Sequence, residues 1–372
     1  MDDDTQEMKV TLYEVLKSEG WVSMERYAES LNHELFKLPD LKTSLFCPEI
    51  KNLPISLKSL ARFTPTPWLF AYPERFILYP LKAQSAQGDI NHITDHSYSH
   101  VVHWLDPKRT IVSCHDLIPL RFEQDKLTLK IYMQAISGLR KCAFIIASSE
   151  STKKDLIEFL NIPPEKIEVN LLGVESRFKP SLVEEKRDIK NKYGIPDGKI
   201  LLQVGSSQNS KNIEVILNAL SEIDATFIKV GADLTREQRK ILEKNRVTNK
   251  YKYIGKVPDW DLPVIYSIAD ILLMPSFYEG FGLPVIESFS CGTPVICSKK
   301  GSLPEVGGDL AVYLKDETDP EELICAVREI LSLSVVAKDK IAGEAMKWAK
   351  SFSWAKNAEK THLIYKDLMA KL

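Results

Sequence analysis

Short apolar runs rich in Val, Ile and Leu recur along this chain between stretches whose apolar residues have helical spacing. That alternation predicts parallel sheets joined by crossover helices, an α/β fold. In the first half the runs are MKVTLYEV, RTIVSCH, AFIIASS and KIEVNLLG, and several end in Ser, His or Gly just before a helical pattern opens. The carboxyl ends of such strands are where open α/β sheets place their ligands. The theme restarts at KILLQVG, after which KNIEVILNALSEI puts Ile213, Ile216, Leu217, Leu220 and Ile223 at helical spacing. ATFIKVGA, YKYIGKV, ADILLMPS and TPVICS then read as further strands, and SWAKNAEKTHLIYKDLMAKL as a closing amphipathic helix. Between the two series, KPSLVEEKRDIKNKYGIPDGK is polar and punctuated by Pro and Gly, as a linker should be, which places a boundary near residues 180–196.

At 372 residues the chain exceeds what one hydrophobic core usually organises, so two domains and a cleft between them are expected. With 44% hydrophobic and 27% charged residues, and no run apolar enough to cross a bilayer, the sequence reads as a soluble globular protein. The acidic start MDDDTQEMKVTLYEVL lacks the basic and then apolar regions of a signal peptide, which makes the cytoplasm the expected location. Six scattered cysteines contain no CxxC pair, against a zinc ribbon or a disulfide framework. A net charge of −2 gives no general attraction for nucleic acid. One local exception runs from Phe36 to Arg62, where Lys37, Lys42, Lys51, Lys58 and Arg62 outnumber Asp40 and Glu49. This is either a solvated surface or a weak peripheral foothold on anionic membrane lipid at the inner face.

In VGSSQNSKNIEVILNAL a strand runs into a loop of small and amide residues, Gly205, Ser206 and Ser207 among them, and then a helix expected to start at Ser210 or Lys211. Unpaired backbone N–H groups and a helix start favour an anion such as phosphate. Lys211 in a first helical turn would oppose the helix dipole by some tenths of a kcal/mol to ~1 kcal/mol, which makes sense if a phosphate neutralises both. The alternative is a snorkelling surface lysine. The loop is neither GxGxxG nor a Walker loop, which disfavours a nicotinamide enzyme and a P-loop NTPase.

In PSFYEGFGLPVIESFSCGTPV, Glu279 and Glu287 stand with seven residues between them. ADILLMPS predicts a buried strand and Pro284 the first turn of a helix closed by Gly292. Glu279 then lies in the strand-to-helix loop, where Gly280 and Gly282 permit close backbone approach and leave the N–H groups of Phe281, Gly282 and Leu283 free to donate. Glu287, a turn into the helix, leans back toward that loop. Both carboxylates can face one small volume and accept from vicinal hydroxyls, as sugars and ribose present them. The plain alternative is a solvated loop residue and a helix-face charge.

In HITDHSYSHVVHW, His96, His100 and His103 would share a helical face, with His92 nearby. The spacing lacks the glutamate of HExxH and shows no third ligand, so satisfied or cleft-lining histidines are the ordinary reading and no metal is expected. His115, at the end of IVSCH with Asp116 beside it, is either a polar group of the cleft or a buried, hydrogen-bonded histidine.

These residues resemble the family 4 retaining glycosyltransferases of the GT-B fold. The strongest likeness is YIGKVPDWDLPVIYSIADILLMPSFYEGFGLPVIESFSCGTPVICSKKGSLPEVGGDLAVYL, residues 253–314, and VGSSQNSKNIEVILNAL, CHDLIPL, ASSESTKKDLIEF and VNLLGVESRFKP support it. The resemblance implies two Rossmann-like domains facing each other across a cleft. An N-terminal acceptor-binding domain would span 1–185, joined by the final helix 352–372, and a nucleotide-sugar-binding domain 186–351. It implies Lys211 on the diphosphate, Glu279 and the Phe281–Leu283 amides on the donor sugar, Glu287 on the ribose, backbone at Lys256 and Val257 on the base, and His115 on a donor-sugar hydroxyl. The family's first loop corresponds to Gly20, Trp21 and Val22, with one glycine where two are common. Many relatives carry an arginine in the loop before the lysine, whereas SSQNS has none. The implied reaction is metal-independent, cofactor-free transfer of a hexose from a UDP or GDP sugar to a carbohydrate or lipid-linked glycan acceptor in polysaccharide biosynthesis. Attack is from the front face, and the leaving phosphate takes the acceptor proton. The missing arginine motivates an alternative, a nucleotide-sugar-binding module or inactive subunit; a histidine-based metallohydrolase ranks last.

Overall fold

The computed structural model describes residues 7–49 and 73–372. The chain folds into two compact units, one from Met1–Leu171 with Trp354–Leu372 and the other from Leu172–Ser353. The first holds strands β1 (Met8–Tyr13), β2 (Leu41–Phe46), β3 (Ile90–Ile93), β4 (Thr110–Cys114), β5 (Phe144–Ala147) and β6 (Ile167–Val169) in the order β2-β1-β3-β4-β5-β6. All pairings are parallel. The chain leaves β1 toward β2 on one side and returns to β3 on the other, so the loops after β1 and β3 part at a topological switch point.

β3 carries two polar residues, yet all four of its side chains are buried. Asn91 Oδ1 accepts from the Tyr13 hydroxyl and the Gly88 N–H, both at 3.2 Å. His92 sits in a chain of short contacts: Tyr365 hydroxyl to Nδ1 at 2.6 Å, Nε2 to Ser113 Oγ at 2.8 Å, and Ser113 Oγ to the Tyr27 hydroxyl at 2.7 Å. Burial, with help from His115, pushes the His92 imidazole down to about 3, so it stays neutral.

Tyr365 belongs to the last helix, Trp354–Met369, which buries Ala358, Thr361, Ile364 and Tyr365 in the first unit. Asn170 Nδ2 donates to Asn357 O and Thr361 Oγ1, and Asn357 Nδ2 to Leu171 O, which fixes this helix where β6 ends. In the basic stretch singled out above, Lys37 pairs with Glu34 at 2.7 Å, while Lys51, Lys58 and Arg62 lie outside the described residues.

The second unit holds β7 (Ile200–Gly205), β8 (Thr226–Gly231), β9 (Tyr251–Gly255), β10 (Ile271–Met274), β11 (Val295–Ser298) and β12 (Val312–Leu314) in the order β12-β11-β10-β7-β8-β9, again parallel. Its core packs Leu201, Phe227 and Leu273 against Ile216 and Leu217 of the helix Ile213–Ala219. The switch point lies between β7 and β10. The polar passage read as a linker instead contains a helix, Val183–Tyr193, closed by Gly194 at φ 58. That helix buries Ile189, and Lys192 and Tyr193 both bond Asp261 of the second unit.

The Tyr365 contact gives a stability test. Tyr365→Phe strands a buried imidazole nitrogen, a loss of about 1–3 kcal/mol. A fall in the denaturation midpoint of the first unit is expected; an unchanged midpoint would show that the hydroxyl contributes nothing.

Candidate active site

The loops after β7 and β10 part at the switch point of the second sheet, and they are tied to each other by their own backbone. Phe277 N donates to Ser210 O at 2.8 Å. Asn212, in the left-handed region at φ 48, donates through Nδ2 to Pro275 O and Glu317 O. Asn is among the few side chains that tolerate this conformation. The helix start expected at Ser210 or Lys211 is therefore displaced. Asn209–Lys211 form a single 3₁₀ turn, Asn212 breaks it, and the α-helix begins at Ile213. Lys211 does not sit in the first turn of that helix, so opposition to its dipole is not what singles the residue out.

What singles it out is its partner. Lys211 Nζ donates to both carboxylate oxygens of Glu279, at 2.7 Å each. The side chains are 18% and 7% exposed. The residue expected at the diphosphate and the residue expected at the sugar thus close on each other as a bidentate, largely dry ion pair.

Glu279 is set by its backbone as well. Its carbonyl accepts from Ser302 N and Ser302 Oγ, at 3.2 and 3.0 Å. Gly301 stands against it at φ 58, where an added Cβ would lie 2.5 Å from Glu279 O and 2.9 Å from Glu279 N. Beyond Glu279 the chain turns through Gly282 at φ 99 into the helix Leu283–Ser290, with Pro284 in its first turn and Gly292 at φ 78 past its end. The amides of Phe281, Gly282 and Leu283 have no partner among the described residues, as do those of Ser206 and Ser207 in the opposite loop. Glu287 is buried one turn into the helix, and its Oε2 accepts from the Tyr266 hydroxyl at 2.7 Å.

The other expected groups are placed differently. Lys256 is exposed and Val257 half-buried, just past β9 at the same edge of the sheet; no hydrogen bond joins them to the ion pair among the described residues. Ser207 Oγ is taken by Ala232 O at 3.1 Å. His115, in the first unit, is buried, and its Nε2 lies 2.9 Å from the Thr94 carbonyl. A carbonyl only accepts, so Nε2 carries the proton and Nδ1 is an acceptor. Nδ1 is buried without a partner among the described residues. Burial holds the ring below its ordinary value, against the opposing pull of Asp95, and keeps it neutral. In the same unit, a cavity of about 510 Å³ at the carboxyl ends of β1 and β2 is lined by Glu14, Lys17, Cys47 and Glu74 among others. Gly20 turns at φ 66 ahead of the helix Val22–Leu35, with the Arg75 guanidinium 5.3 Å from the Trp21 ring.

The histidines divide among structural tasks. His92 holds the Tyr365 network, His100 Nε2 meets Arg75 O at 2.9 Å, and His103 Nε2 meets Ser137 Oγ at 2.9 Å. His96–Trp104 form a 3₁₀ helix, which removes the shared α-helical face. Among the described residues no three His, Cys, Asp or Glu side chains converge as metal ligands. Sequence reasoning missed Asn212, Gly301, Ser302 and Tyr266. Asn and Gly at loop positions were the available signal for the first two; the partners of Ser302 and Tyr266 lie 23 and 21 residues away and left none.

Gly301→Ala separates close approach from backbone conformation, because Gly194 shares its φ of 58 but meets only the Lys252 ammonium, at 3.3 Å. Gly194→Ala is expected to cost about 1 kcal/mol. Gly301→Ala should cost more, about 2–4 kcal/mol, by forcing Glu279 aside. Equal losses in denaturant titrations would contradict that contact.

Comparison with known proteins gives the chain its kinship. The family model for glycosyl transferases group 1 matches residues 185–348, and that for glycosyltransferase family 4 matches residues 24–177. The chain is 30% identical to the O-antigen chain mannosyltransferase B of Escherichia coli, over 70% of this chain and 71% of that one. Among solved structures it resembles the sucrose-phosphate synthase of Thermosynechococcus elongatus, with TM-score 0.72 and 19% identity over 98% and 100% of the two chains. It also resembles the Anabaena protein HepE, solved in complex with UDP and glucose, with TM-score 0.72 and 16% identity over 96% and 99%. The site and these likenesses together make this chain a family 4 glycosyltransferase of the GT-B fold.

Proposed function

We propose that this glycosyltransferase moves a hexose from a UDP or GDP sugar to a glycan or lipid-linked acceptor of polysaccharide synthesis, with retention of anomeric configuration and without a metal ion. The observation that carries the proposal is the Lys211–Glu279 pair at the switch point, flanked by two sets of unpartnered amides. A diphosphate suits Lys211 and the Ser206 and Ser207 amides; a hexose suits Glu279 and the Phe281–Leu283 amides. Glu287 lies a turn farther on, suited to ribose hydroxyls, and Lys256 and Val257 stand at the same sheet edge for the base. The neutral His115, with Nδ1 as acceptor, suits a sugar hydroxyl. The acidic cavity around Glu14 and Glu74 suits a polyhydroxylated acceptor.

Neither carboxylate is assigned a covalent role: Glu279 is placed on the hexose hydroxyls, and Glu287 accepts from the Tyr266 hydroxyl. In the proposed step the bond from the anomeric carbon to the diphosphate oxygen breaks and the acceptor oxygen bonds that carbon on the same face. The acceptor proton passes to the leaving phosphate. Lys211 and the amides offset the charge that develops there, a role that fixed donors fill without a divalent ion. The kinship with a mannosyltransferase of O-antigen chains supports a mannosyl donor and polysaccharide synthesis.

The test is a panel of GDP- and UDP-hexoses with the purified protein, measuring binding, hydrolysis and transfer with and without chelator. Saturable binding and chelator-insensitive turnover of one donor are expected. Lys211→Ala should lower kcat/KM for that donor by about 10²–10³. Turnover within about twofold of wild type would remove Lys211 from the reaction. Binding without transfer or hydrolysis would favour the binding-module alternative.

A further inference from the structure

Lys229 lies in the middle of a buried strand, and no part of it is exposed. Its ammonium donates to Gly205 O at 2.6 Å and to Val230 O at 3.1 Å. Among the described residues no carboxylate forms an ion pair with it. A buried cation held only by carbonyl dipoles is an expensive arrangement, and strands without a task for such a charge carry an apolar residue instead. The charged groups that influence it are Lys211, which repels it from the loop after β7, and Asp233, which attracts it from beyond β8. Asp233 is already engaged by Arg239 and by the Tyr251 hydroxyl.

The peptide that Lys229 grips is the one that opens the candidate phosphate loop. Gly205 O also accepts from Ala232 N at 3.0 Å. Gly205 at φ 128 and Gly231 at φ 99 allow the approach, and a Cβ on Gly231 would lie 2.5 Å from Gly205 O. All peptide bonds described are trans, so the N–H of Ser206 points opposite to the Gly205 carbonyl. With the carbonyl fixed inward by two donors, the unpartnered Ser206 N–H faces away from them.

We propose that Lys229 is a positioning residue for the donor diphosphate: through Gly205 it presents the Ser206 N–H to the phosphates and sets a second positive charge behind the loop. This rests on the donor reading above. The charge of Lys211 is matched by Glu279, whereas a diphosphate diester brings two negative charges; Lys229 supplies what that pair lacks. Burial first, and Lys211 second, push the free ammonium down to about 7, so an arriving anion would favour its protonated form.

The experiment uses GDP-mannose and UDP-glucose as probes, whose phosphodiester charges stay constant near neutrality. Titration calorimetry from about pH 6 to about pH 8 is run on wild type, Lys229→Met and Lys229→Arg, with melting midpoints in parallel. Wild-type affinity for the probe that binds is expected to fall about five- to tenfold as pH rises through the range, because the bound state holds the proton more tightly. Lys229→Met, which keeps the length and removes the charge, should bind about tenfold more weakly at the lower pH and lose the slope; Lys229→Arg should recover most of the affinity without the slope. A flat wild-type profile, or wild-type binding in Lys229→Met, overturns the inference and leaves the donor reading standing. If the Met variant does not fold, the wild-type profile still decides. Binding of neither probe to wild type overturns the donor reading and this inference with it.

Discussion

The ion pair between Lys211 and Glu279 is the constraint around which the second unit organises its ligand-facing edge. Two opposite charges this poorly exposed hold only in each other's company. Removing one partner of such a pair typically costs about 3–5 kcal/mol, because the other is left buried and uncompensated. The surrounding scaffold maintains the contact from three directions. Asn212 ties the Lys211 loop to the Glu279 loop, Ser302 holds the Glu279 carbonyl, and Gly301 leaves room for it. The sheet order supplies the reason these loops meet at all, since β7 and β10 are neighbours whose connections leave in opposite directions.

That pair also defines what can enter. A bare anion that drew Lys211 away would strand the Glu279 carboxylate, and a neutral polyol would compete with an ammonium for the carboxylate at a loss. A molecule with a diphosphate next to a hexose offers both replacements at once, an anion for the lysine and hydroxyl donors for the glutamate. On the proposed function, such an exchange would favour nucleotide sugars over free phosphate or free sugar and would couple donor binding to a change of partners inside the site.

Much of this was legible in the sequence, for identifiable reasons. Buried parallel strands such as ILLQVG and ILLM are continuous apolar runs, and Pro284 and Gly292 bracket a short helix by fixed conformational preferences. Glu279, Glu287 and Lys211 were visible as charges in otherwise apolar or glycine-rich surroundings. β3 was not visible, because INHI carries Asn and His whose burial depends on Tyr13, Ser113 and Tyr365 far along the chain. β2 is an edge strand with a half-exposed, irregular pattern, and β12 has three residues. The helix Val183–Tyr193 was hidden by its polarity, since only Ile189 is buried. Lys229 read as one residue of a strand, and nothing local disclosed that its ammonium ends on Gly205. The ion pair itself joins positions 68 residues apart, a distance over which charge in a sequence carries no pairing information.

The exchange of partners is the central claim, and a crystal structure with a nucleotide-diphosphate hexose bound would test it most directly. The account predicts phosphate oxygens within hydrogen-bonding distance of Lys211 Nζ, hexose hydroxyls on Glu279, and the bidentate contact between the two residues opened. A bound nucleotide sugar lying elsewhere, with Lys211 still closed on both oxygens of Glu279, would contradict it.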